Sequence, residues 1–370
     1  MEKSLQHSPK KLEALTSFRF IAACLVFVFH VGLFKDFQLG YLGVSFFFIL
    51  SGFILAYNYK NLNFQNTRQL KYFFVARVSK IYPLHLLTFF LAVPYYFFIP
   101  LKHEPILYVF QAITNITLIH SFIPFGNISF NGVSWSLSDE LFFYIMFPIL
   151  LFFSVGVLKK NSKMLFFVFL IWISLLFIFS KFSPESYYSV WISFYFPITR
   201  LFEFYVGLVA GLFFTKYSPK IGRKLSIFYS TTLEVSSLML LILLVFVSPY
   251  FNQNLRYGLI FIPACTFLIF IFGLQKGKIS TLLSFKKVSY LGEISFSFYM
   301  VHNLVLSYIY FLWKPNINNS LLISFCFIGT ILLSVFLYHC YEEPMRKNIR
   351  NIYKNRTRIH QDINNHKEII

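Results

Sequence analysis

The first apolar stretch of the chain carries two residues that could take part in chemistry, Arg19 and His30. Their spacing corresponds to roughly 1100° of helical rotation, only about 20° past three full turns, so both are expected on one helix face, about 16.5 Å apart. A charge inside a membrane costs free energy, and it is usually kept for a partner or a task. Arg19 alone could reach lipid phosphates, and His30 alone could be a hydrogen-bonded core residue. Together they predict the two ends of a reaction path.

A second basic group, Arg77 and Lys80, lies in the stretch RVSKIYP, where the chain enters another apolar segment. Cations beside the free amides of a helix end favour bound anions, phosphate in particular. The pair therefore predicts a phosphate-binding site. The ordinary positive charge of a cytoplasmic loop explains the same residues without any ligand.

Two acidic residues, Asp139 and Glu140, occur in SWSLSDELFFYIMFP at residues 134–148. Carboxylates near a helix N-terminus stabilise the helix dipole, which accounts for one of them. Glu140 lies four residues before Tyr144 and so shares a helix face with it. We therefore expect Glu140, rather than Asp139, to point inward.

Two later pairs complete the candidate residues. Arg200 and Glu203 are three residues apart, a spacing that also allows a salt bridge within one helix. His302 follows Tyr299 by three residues in SFSFYMVH, on the same helix face, although a lone histidine in a helix is commonly a satisfied core residue. All four are predicted to bind a substrate, and Arg200 or His302 could instead stabilise an oxyanion formed in the reaction.

The composition places these residues in a membrane. The chain is 57% hydrophobic and 13% charged, about half the charged fraction of a soluble protein, and its apolar residues form runs of about 20. The net charge of +19 is scattered between the apolar runs rather than gathered in a basic domain, which argues against nucleic-acid binding. The four cysteines lack metal-ligand spacing, so no metal site is predicted.

Eleven apolar segments are candidate spans: 15–34, 39–58, 81–101, 105–122, 136–157, 164–180, 194–215, 226–247, 257–274, 288–312 and 319–340. The segment 105–122 is the most polar, and we expect it to enter the membrane and return. No signal peptide is expected, because charged residues interrupt the first span and no small-residue cleavage site follows it.

With ten crossings, 26 of the 33 Lys and Arg residues fall on one side of the membrane and 5 on the other. The positive-inside rule then places both termini in the cytoplasm. The predicted fold is an all-α polytopic membrane protein with a cytoplasmic N-terminus (1–14), a transmembrane domain (15–340) and a basic cytoplasmic tail (341–370). This topology puts several ionisable residues in the outer half of the membrane: His30, Glu140, Arg200, Glu203 and His302.

Taken in order, the motifs resemble those of the acyltransferase type 3 family, integral membrane proteins that O-acylate carbohydrates of bacterial envelopes. The matching elements, which cover residues 13–346, are Arg19 with His30, GYLGVSFFFILSGF, RVSKIYP, SWSLSDELFFYIMFP, RLFEFYVG, SFSFYMVH and EEPMR. Some members carry a hydrolase-like domain after the last span, for which this sequence is expected to have no room.

The resemblance implies a bundle of about ten spans in the bacterial inner membrane. It also implies an acyl-CoA donor, with acetyl-CoA as the expected one, and no permanently bound cofactor. It implies His30 as the catalytic histidine, Arg19 with Arg77 and Lys80 as donor contacts, and Glu140 in the catalytic region. The family commonly has arginine where Lys80 stands, and lysine lacks the planar fork that binds phosphate bidentately.

The residue pattern and the family resemblance together predict a mechanism in which the thioester enters from the cell interior and arrives near His30. His30 then acts as general base or carries the acyl group transiently. The acceptor would be a hydroxyl of O-antigen, capsule, exopolysaccharide, peptidoglycan or a lipid-linked glycan. The alternative is a transporter or flippase of lipid-linked sugars, because ten spans with buried charges also describe carriers. The lack of visible internal repeats disfavours that alternative.

Overall fold

The computed structural model describes residues 10–63, 65–98, 104–124, 126–160, 164–182, 186–313 and 320–367. Over these ranges the chain forms helices and no strand. The α-helices are α1 (Glu13–His30), α2 (Leu39–Tyr59), α3 (Thr67–Phe98), α4 (Pro105–Ile116), α5 (Trp135–Lys160), α6 (Met164–Ser180), α7 (Tyr187–Val190), α8 (Pro197–Lys224), α9 (Ile227–Val247), α10 (Gln253–Arg256), α11 (Ile262–Gly273), α12 (Lys278–Leu283), α13 (Lys286–Trp313), α14 (Ser320–Leu337) and α15 (Glu343–Lys367).

The predicted all-α membrane architecture is confirmed, and each of the eleven predicted segments overlaps an α-helix. Within the described ranges, eight helical segments are long and apolar enough to cross a membrane: Glu13–His30, Lys35–Tyr59, Thr67–Phe98, Trp135–Gly156, Tyr187–Lys224, Ile227–Tyr250, Lys286–Leu312 and Ser320–Asn355. Three apolar helices are shorter: Pro105–Ile116, Phe167–Ser180 and Leu259–Gly273. The count of ten crossings and the cytoplasmic placement of both termini stay predictions.

Helix α4 has the dimensions expected of a segment that enters the membrane without crossing it. Its 12 residues rise about 18 Å, against a hydrocarbon thickness of about 30 Å. The chain after it is held by buried polar contacts. Asn115 donates its amide to the carbonyl and the hydroxyl of Ser129, each at 3.0 Å, and Ser138 donates to the Leu118 carbonyl at 2.7 Å.

Helix α2 lies at the centre of the bundle, and glycines let its backbone approach that of α8. A Cβ on Gly207 would lie 1.9 Å from the Ile49 carbonyl oxygen, and one on Gly52 would lie 2.0 Å from the Phe204 carbonyl oxygen. No larger side chain fits at either position without moving a helix. Small residues at helix crossings are the usual means of close packing in membranes, where burial of apolar surface drives association weakly.

Helix α1 packs against α2 and α13, and polar contacts gather the ends of these helices at one face of the bundle. Tyr57, near the end of α2, donates to the Lys10 carbonyl at 3.1 Å, just before α1 begins. Lys11 forms a salt bridge of 2.6 Å with Glu293, early in α13. Lys10 and Lys11 belong to the N-terminal segment 1–14, which the charge distribution predicts to be cytoplasmic.

Candidate active site

A cavity of about 330 Å³ lies between α1, α2, α3, α5 and α13. Its lining on α2 extends from Val44 to Asn58, which corresponds to about 21 Å along the helix axis, two thirds of the hydrocarbon thickness. At one end the lining residues Lys10, Lys11 and Asn58 are exposed, whereas the residues at the other end are buried. The cavity therefore leads from the face where α1 begins deep into the bundle.

Five cationic residues line this cavity: Lys10 and Lys11 at its exposed end, Arg19 from α1, and Arg77 and Lys80 from α3. Arg77 and Lys80 are three residues apart, which brings both side chains to the same face of α3. Lys80 lies within electrostatic range of both arginines. Like charges so close together raise each other's energy, and a bound polyanion removes that cost. Arg19 of α1 thus joins the pair on α3 that the sequence predicts as a phosphate site.

Acidic residues lie close to these cations. Arg19 is within electrostatic range of Glu342 and Glu140, and Lys80 interacts with the same two carboxylates. Glu342 accepts a hydrogen bond of 2.6 Å from the Ser297 hydroxyl and is buried. The EEPMR motif, which begins at Glu342, therefore contributes charge to the surroundings of the cavity.

Glu140 faces the cavity from the first turns of α5, whereas its neighbour Asp139 is fully buried and does not line it. Glu140 Oε1 accepts a hydrogen bond from the hydroxyl of Tyr144, one turn further along α5. It also accepts one from the Ser51 hydroxyl of α2 at 3.4 Å. Two donors from two helices hold this carboxylate, and Glu140 points inward as its spacing to Tyr144 predicts.

The buried end of the cavity is bounded by Tyr299 of α13 and Phe47 of α2. The Tyr299 hydroxyl lies 2.8 Å from Ser136 Oγ and donates to the Val133 carbonyl at 3.3 Å. The rings of Phe47 and Tyr299 meet edge to face, with their centroids 5.9 Å apart. Because the chain around the start of α5 holds the tyrosine, this aromatic pair forms a defined wall.

Two histidines lie immediately beyond this wall. His302 is fully buried, with its ring centroid 5.7 Å from that of Tyr299, and its Nε2 lies 3.2 Å from His30 Nδ1. His30 is the last residue of α1 and is exposed. The 18-residue helix α1 thus carries His30 about 25 Å from the end of the cavity where Lys10 and Lys11 lie.

The hydrogen bonds of the pair select one tautomer for each neutral ring. His302 Nδ1 lies 2.6 Å from the Tyr299 carbonyl oxygen, so it carries the proton, and His302 Nε2 is an acceptor. His30 Nδ1 then donates, and its proton is shared between His302 Nε2 and the Val26 carbonyl, 2.9 Å away. The lone pair of His30 is left on Nε2, which is the arrangement required of a general base.

The structure divides the nine predicted site residues into three groups. Five line the cavity: Arg19, Arg77, Lys80, Glu140 and Tyr299. His30 and His302 form the pair beyond its buried end. The expectation that the thioester arrives near His30 stays a prediction. Tyr299 and His302 lie between the cavity and His30.

Arg200 and Glu203 form the third group, a buried ion pair at 2.8 Å that does not line the cavity. Arg200 also donates to the Tyr257 carbonyl at 2.7 Å, and Ser45 of α2 donates to Glu203 at 3.2 Å. The guanidinium lies 5.1 Å from the ring centroid of Phe48. These contacts join α2, α8 and the segment after α10, which is the internal salt bridge considered for the pair. Their predicted role in acceptor binding stays a prediction.

Comparison with known proteins accounts for this arrangement of motifs. The model of the acyltransferase type 3 family, described as an acyltransferase domain, matches residues 12–339. The chain belongs to this family. The resemblance drawn from the motifs is thereby confirmed, and with it an integral membrane protein of the acyltransferase class.

Two relatives show how far the similarity extends. The peptidoglycan O-acetyltransferase OatA of Listeria monocytogenes is 25% identical over 373 residues, which cover 94% of this chain and 58% of the relative. The acyltransferase MdmB of Streptomyces mycarofaciens is 36% identical over 155 residues, 38% of this chain and 39% of the relative. The chain thus spans less than two thirds of the length of either. No solved structure matches it significantly.

Some residues of the site carried little signal in the sequence. Ser51 has no nucleophile-elbow motif around it, and in the structure it donates to Glu140 instead. Phe47 was one apolar residue among many. Ser136 had no signal beyond its place near the start of a helix, and its hydroxyl contacts that of Tyr299. Only Tyr144 had a usable signal, its four-residue spacing to Glu140.

Proposed function

We propose that this protein is a membrane O-acyltransferase that moves an acyl group from cytoplasmic acyl-CoA to a hydroxyl of an envelope carbohydrate. The expected acyl group is acetyl. The observation that carries the proposal is the cavity itself. It has basic residues along its length, Glu140 and Tyr299 on its walls, and the His302–His30 pair behind its buried end. A donor entering from one face and an acceptor at the other would meet at this point.

The donor fits the lining of the cavity by its chemistry. The phosphates of CoA would bind Arg77, Lys80 and the lysines at the open end, since charge-assisted hydrogen bonds to phosphate are strong and short. The pantetheine arm would run along apolar residues such as Leu50 and Ile54. Ligand sites typically combine an apolar lining with a few placed polar groups. The donor is a substrate, and the proposal requires no permanently bound cofactor.

The transfer step assigns a role to each histidine of the pair. His30 Nε2 removes the proton of the acceptor hydroxyl, whose oxygen attacks the thioester carbonyl carbon. A C–O ester bond forms as the C–S bond breaks, and the proton passes to the leaving thiolate of CoA. In the second route, His30 Nε2 attacks the thioester carbonyl carbon and the CoA thiolate leaves as the C–S bond breaks. The acyl group then passes from His30 to the acceptor hydroxyl, whose proton goes to the thiolate. In both routes His302 orients His30.

The acceptor class rests on the relatives. The Listeria protein is named as a peptidoglycan O-acetyltransferase, and its similarity covers nearly the whole of this chain. A carbohydrate hydroxyl in the envelope of a bacterium, acylated at the cytoplasmic membrane, is therefore the acceptor that we propose. Mass analysis of envelope glycans from cells with and without the gene would identify the glycan.

Purified protein in vesicles, supplied with labelled acetyl-CoA and a set of envelope glycans, tests the proposal. We expect label on a glycan and an equal amount of free CoA. The His30→Ala variant in the same vesicles is the matched control and should leave both products at background. A transporter would leave the thioester intact, and thioester that stays intact with every glycan overturns the proposal.

A further inference from the structure

The two aromatic residues at the buried end of the cavity differ in how firmly they are held. Tyr299 is buried, and its hydroxyl contacts both Ser136 and the Val133 carbonyl. Phe47 is half-buried, and a phenyl ring makes no comparable hydrogen bond. Moving Tyr299 breaks polar contacts in an apolar environment, whereas moving Phe47 costs only packing. Phe47 is therefore the part of the wall that can yield.

Phe47 also lies between the cavity and the surroundings of the histidine pair. On one side it lines the cavity. On the other it packs against the cluster that includes Phe27 and Phe298, whose ring centroids lie 6.4 and 6.2 Å from that of His302. A smaller side chain in place of Phe47 would connect the cavity with the region around the His302–His30 pair.

We infer that Phe47 determines which acyl groups the enzyme accepts, admitting short chains and rejecting longer ones. The inference rests on the proposed function, in which the donor enters from the basic side with its acyl group leading. Each added methylene must then occupy volume that the Phe47 ring fills. A substrate with one methylene more than a tightly packed site can hold typically has a kcat/KM about 10–200-fold lower than the substrate that fits.

The neighbouring residue Phe46 provides a matched control. It is buried, packs against Phe18 with the two rings tilted by 44° and their centroids 6.0 Å apart, and does not line the cavity. Phe46→Leu and Phe47→Leu make the same chemical change at consecutive positions of α2. Only Phe47→Leu enlarges the buried end of the cavity, so general loosening of the bundle would affect both variants alike.

The experiment measures kcat/KM for acetyl-, butyryl- and octanoyl-CoA with wild type, Phe47→Leu, Phe46→Leu and Phe47→Trp. We expect wild type to prefer acetyl over butyryl by at least about tenfold. Phe47→Leu should lower that ratio by about tenfold and Phe46→Leu should retain it. Phe47→Trp, which fills the space further, should raise it.

The possible results separate the inference from the proposed function. If wild type consumes acetyl-CoA but Phe47→Leu keeps the wild-type ratio, or Phe46→Leu shifts it equally, the inference is wrong and the proposed function stands. If wild type already accepts octanoyl-CoA as well as acetyl-CoA, the inference is equally wrong. If wild type consumes none of the three thioesters, the proposed function fails, and the inference fails with it.

Discussion

His302 Nε2 accepts a hydrogen bond from His30 Nδ1 across the interface of α13 and α1, although the two residues are 272 positions apart in the chain. The contact fixes the tautomer of His30 and leaves its Nε2 with a lone pair. The buried His302 thereby determines which ring nitrogen of the exposed His30 carries the proton. The pair is the part of the site at which the proposed chemistry can be tested most directly.

Replacing His30 by alanine should abolish transfer, because the variant lacks the base that activates the acceptor. General base catalysis typically contributes about 10²–10⁴-fold, so a loss of at least about 100-fold in kcat is expected. Thermal unfolding in detergent should be close to wild type, because His30 is exposed at the end of α1. Near-normal acylation by a folded His30→Ala protein would contradict the mechanism.

His302→Phe separates orientation from direct participation. The phenylalanine preserves ring packing beside Phe298 but removes the acceptor that holds the proton of His30. We expect kcat to fall by about 10–100-fold, the range known for losing a group that orients a metal-bound histidine. The KM for acetyl-CoA should stay unchanged, because His302 does not line the cavity. A raised KM with unchanged kcat would place His302 in donor binding instead.

Glu140→Gln tests the carboxylate that faces the cavity. Its two hydroxyl donors, Tyr144 and Ser51, suit a carboxylate acceptor, and an amide would present an NH₂ group to one of them. Because Glu140 is predicted to be catalytic, activity should fall by about 100-fold. Asp139→Asn makes the same change one residue away, at a side chain off the cavity, and should retain most of the activity. Equal losses in both variants would show that the effect is structural.

The helices of this protein could be predicted because the membrane leaves few alternatives. A run of about 20 apolar residues must satisfy its own backbone hydrogen bonds in lipid, so it folds as a helix. Where polar residues extend a helix beyond the lipid, the apolar pattern misses them: α3 begins at Thr67, fourteen residues before the predicted segment 81–101. The predicted span and the helix therefore differ most at that end.

The candidate site could be predicted only where spacing along one helix decides the geometry. The periodicity that puts Arg19 and His30 on one face of α1 does not say which helix packs against that face. The His30–His302 contact and the Ser51–Glu140 contact depend on how four helices are rotated about their axes, which no single helix records. Phe47 could not be singled out either, since its position at the end of the cavity comes from the packing of the whole bundle.

Gly207→Ala tests the close approach of α2 and α8. The added methyl would lie 1.9 Å from the Ile49 carbonyl oxygen, so the helices must separate, and overpacking of this kind typically costs about 1–3 kcal/mol. The unfolding temperature in detergent should fall. Gly329→Ala, on α14, is the control, because a methyl there meets no atom within 4 Å and alanine favours a helix. Unchanged stability of Gly207→Ala would mean that α2 and α8 pack less closely than described.

Arg77→Ala should weaken donor binding without removing the catalytic residues. Losing a hydrogen bond between a charged pair costs about 1.5–3 kcal/mol, so the Kd for acetyl-CoA should rise at least about tenfold. The dependence of Kd on salt should also become weaker, since one cation of the phosphate site is gone. Calorimetry with the acyl donor alone, at two ionic strengths, measures both quantities.

Arg68→Ala is the matched control for that measurement, because Arg68 is an exposed arginine of the same helix that does not line the cavity. It changes the net charge of the protein by the same amount and should leave Kd within about twofold of wild type, as expected for an exposed charge that makes no contact with the ligand. Equal weakening by both variants would mean that general attraction to a basic surface, rather than a site on α3, binds the donor. An unchanged Kd in Arg77→Ala would exclude the phosphate site there, and the donor would then have to bind through Arg19 and Lys80.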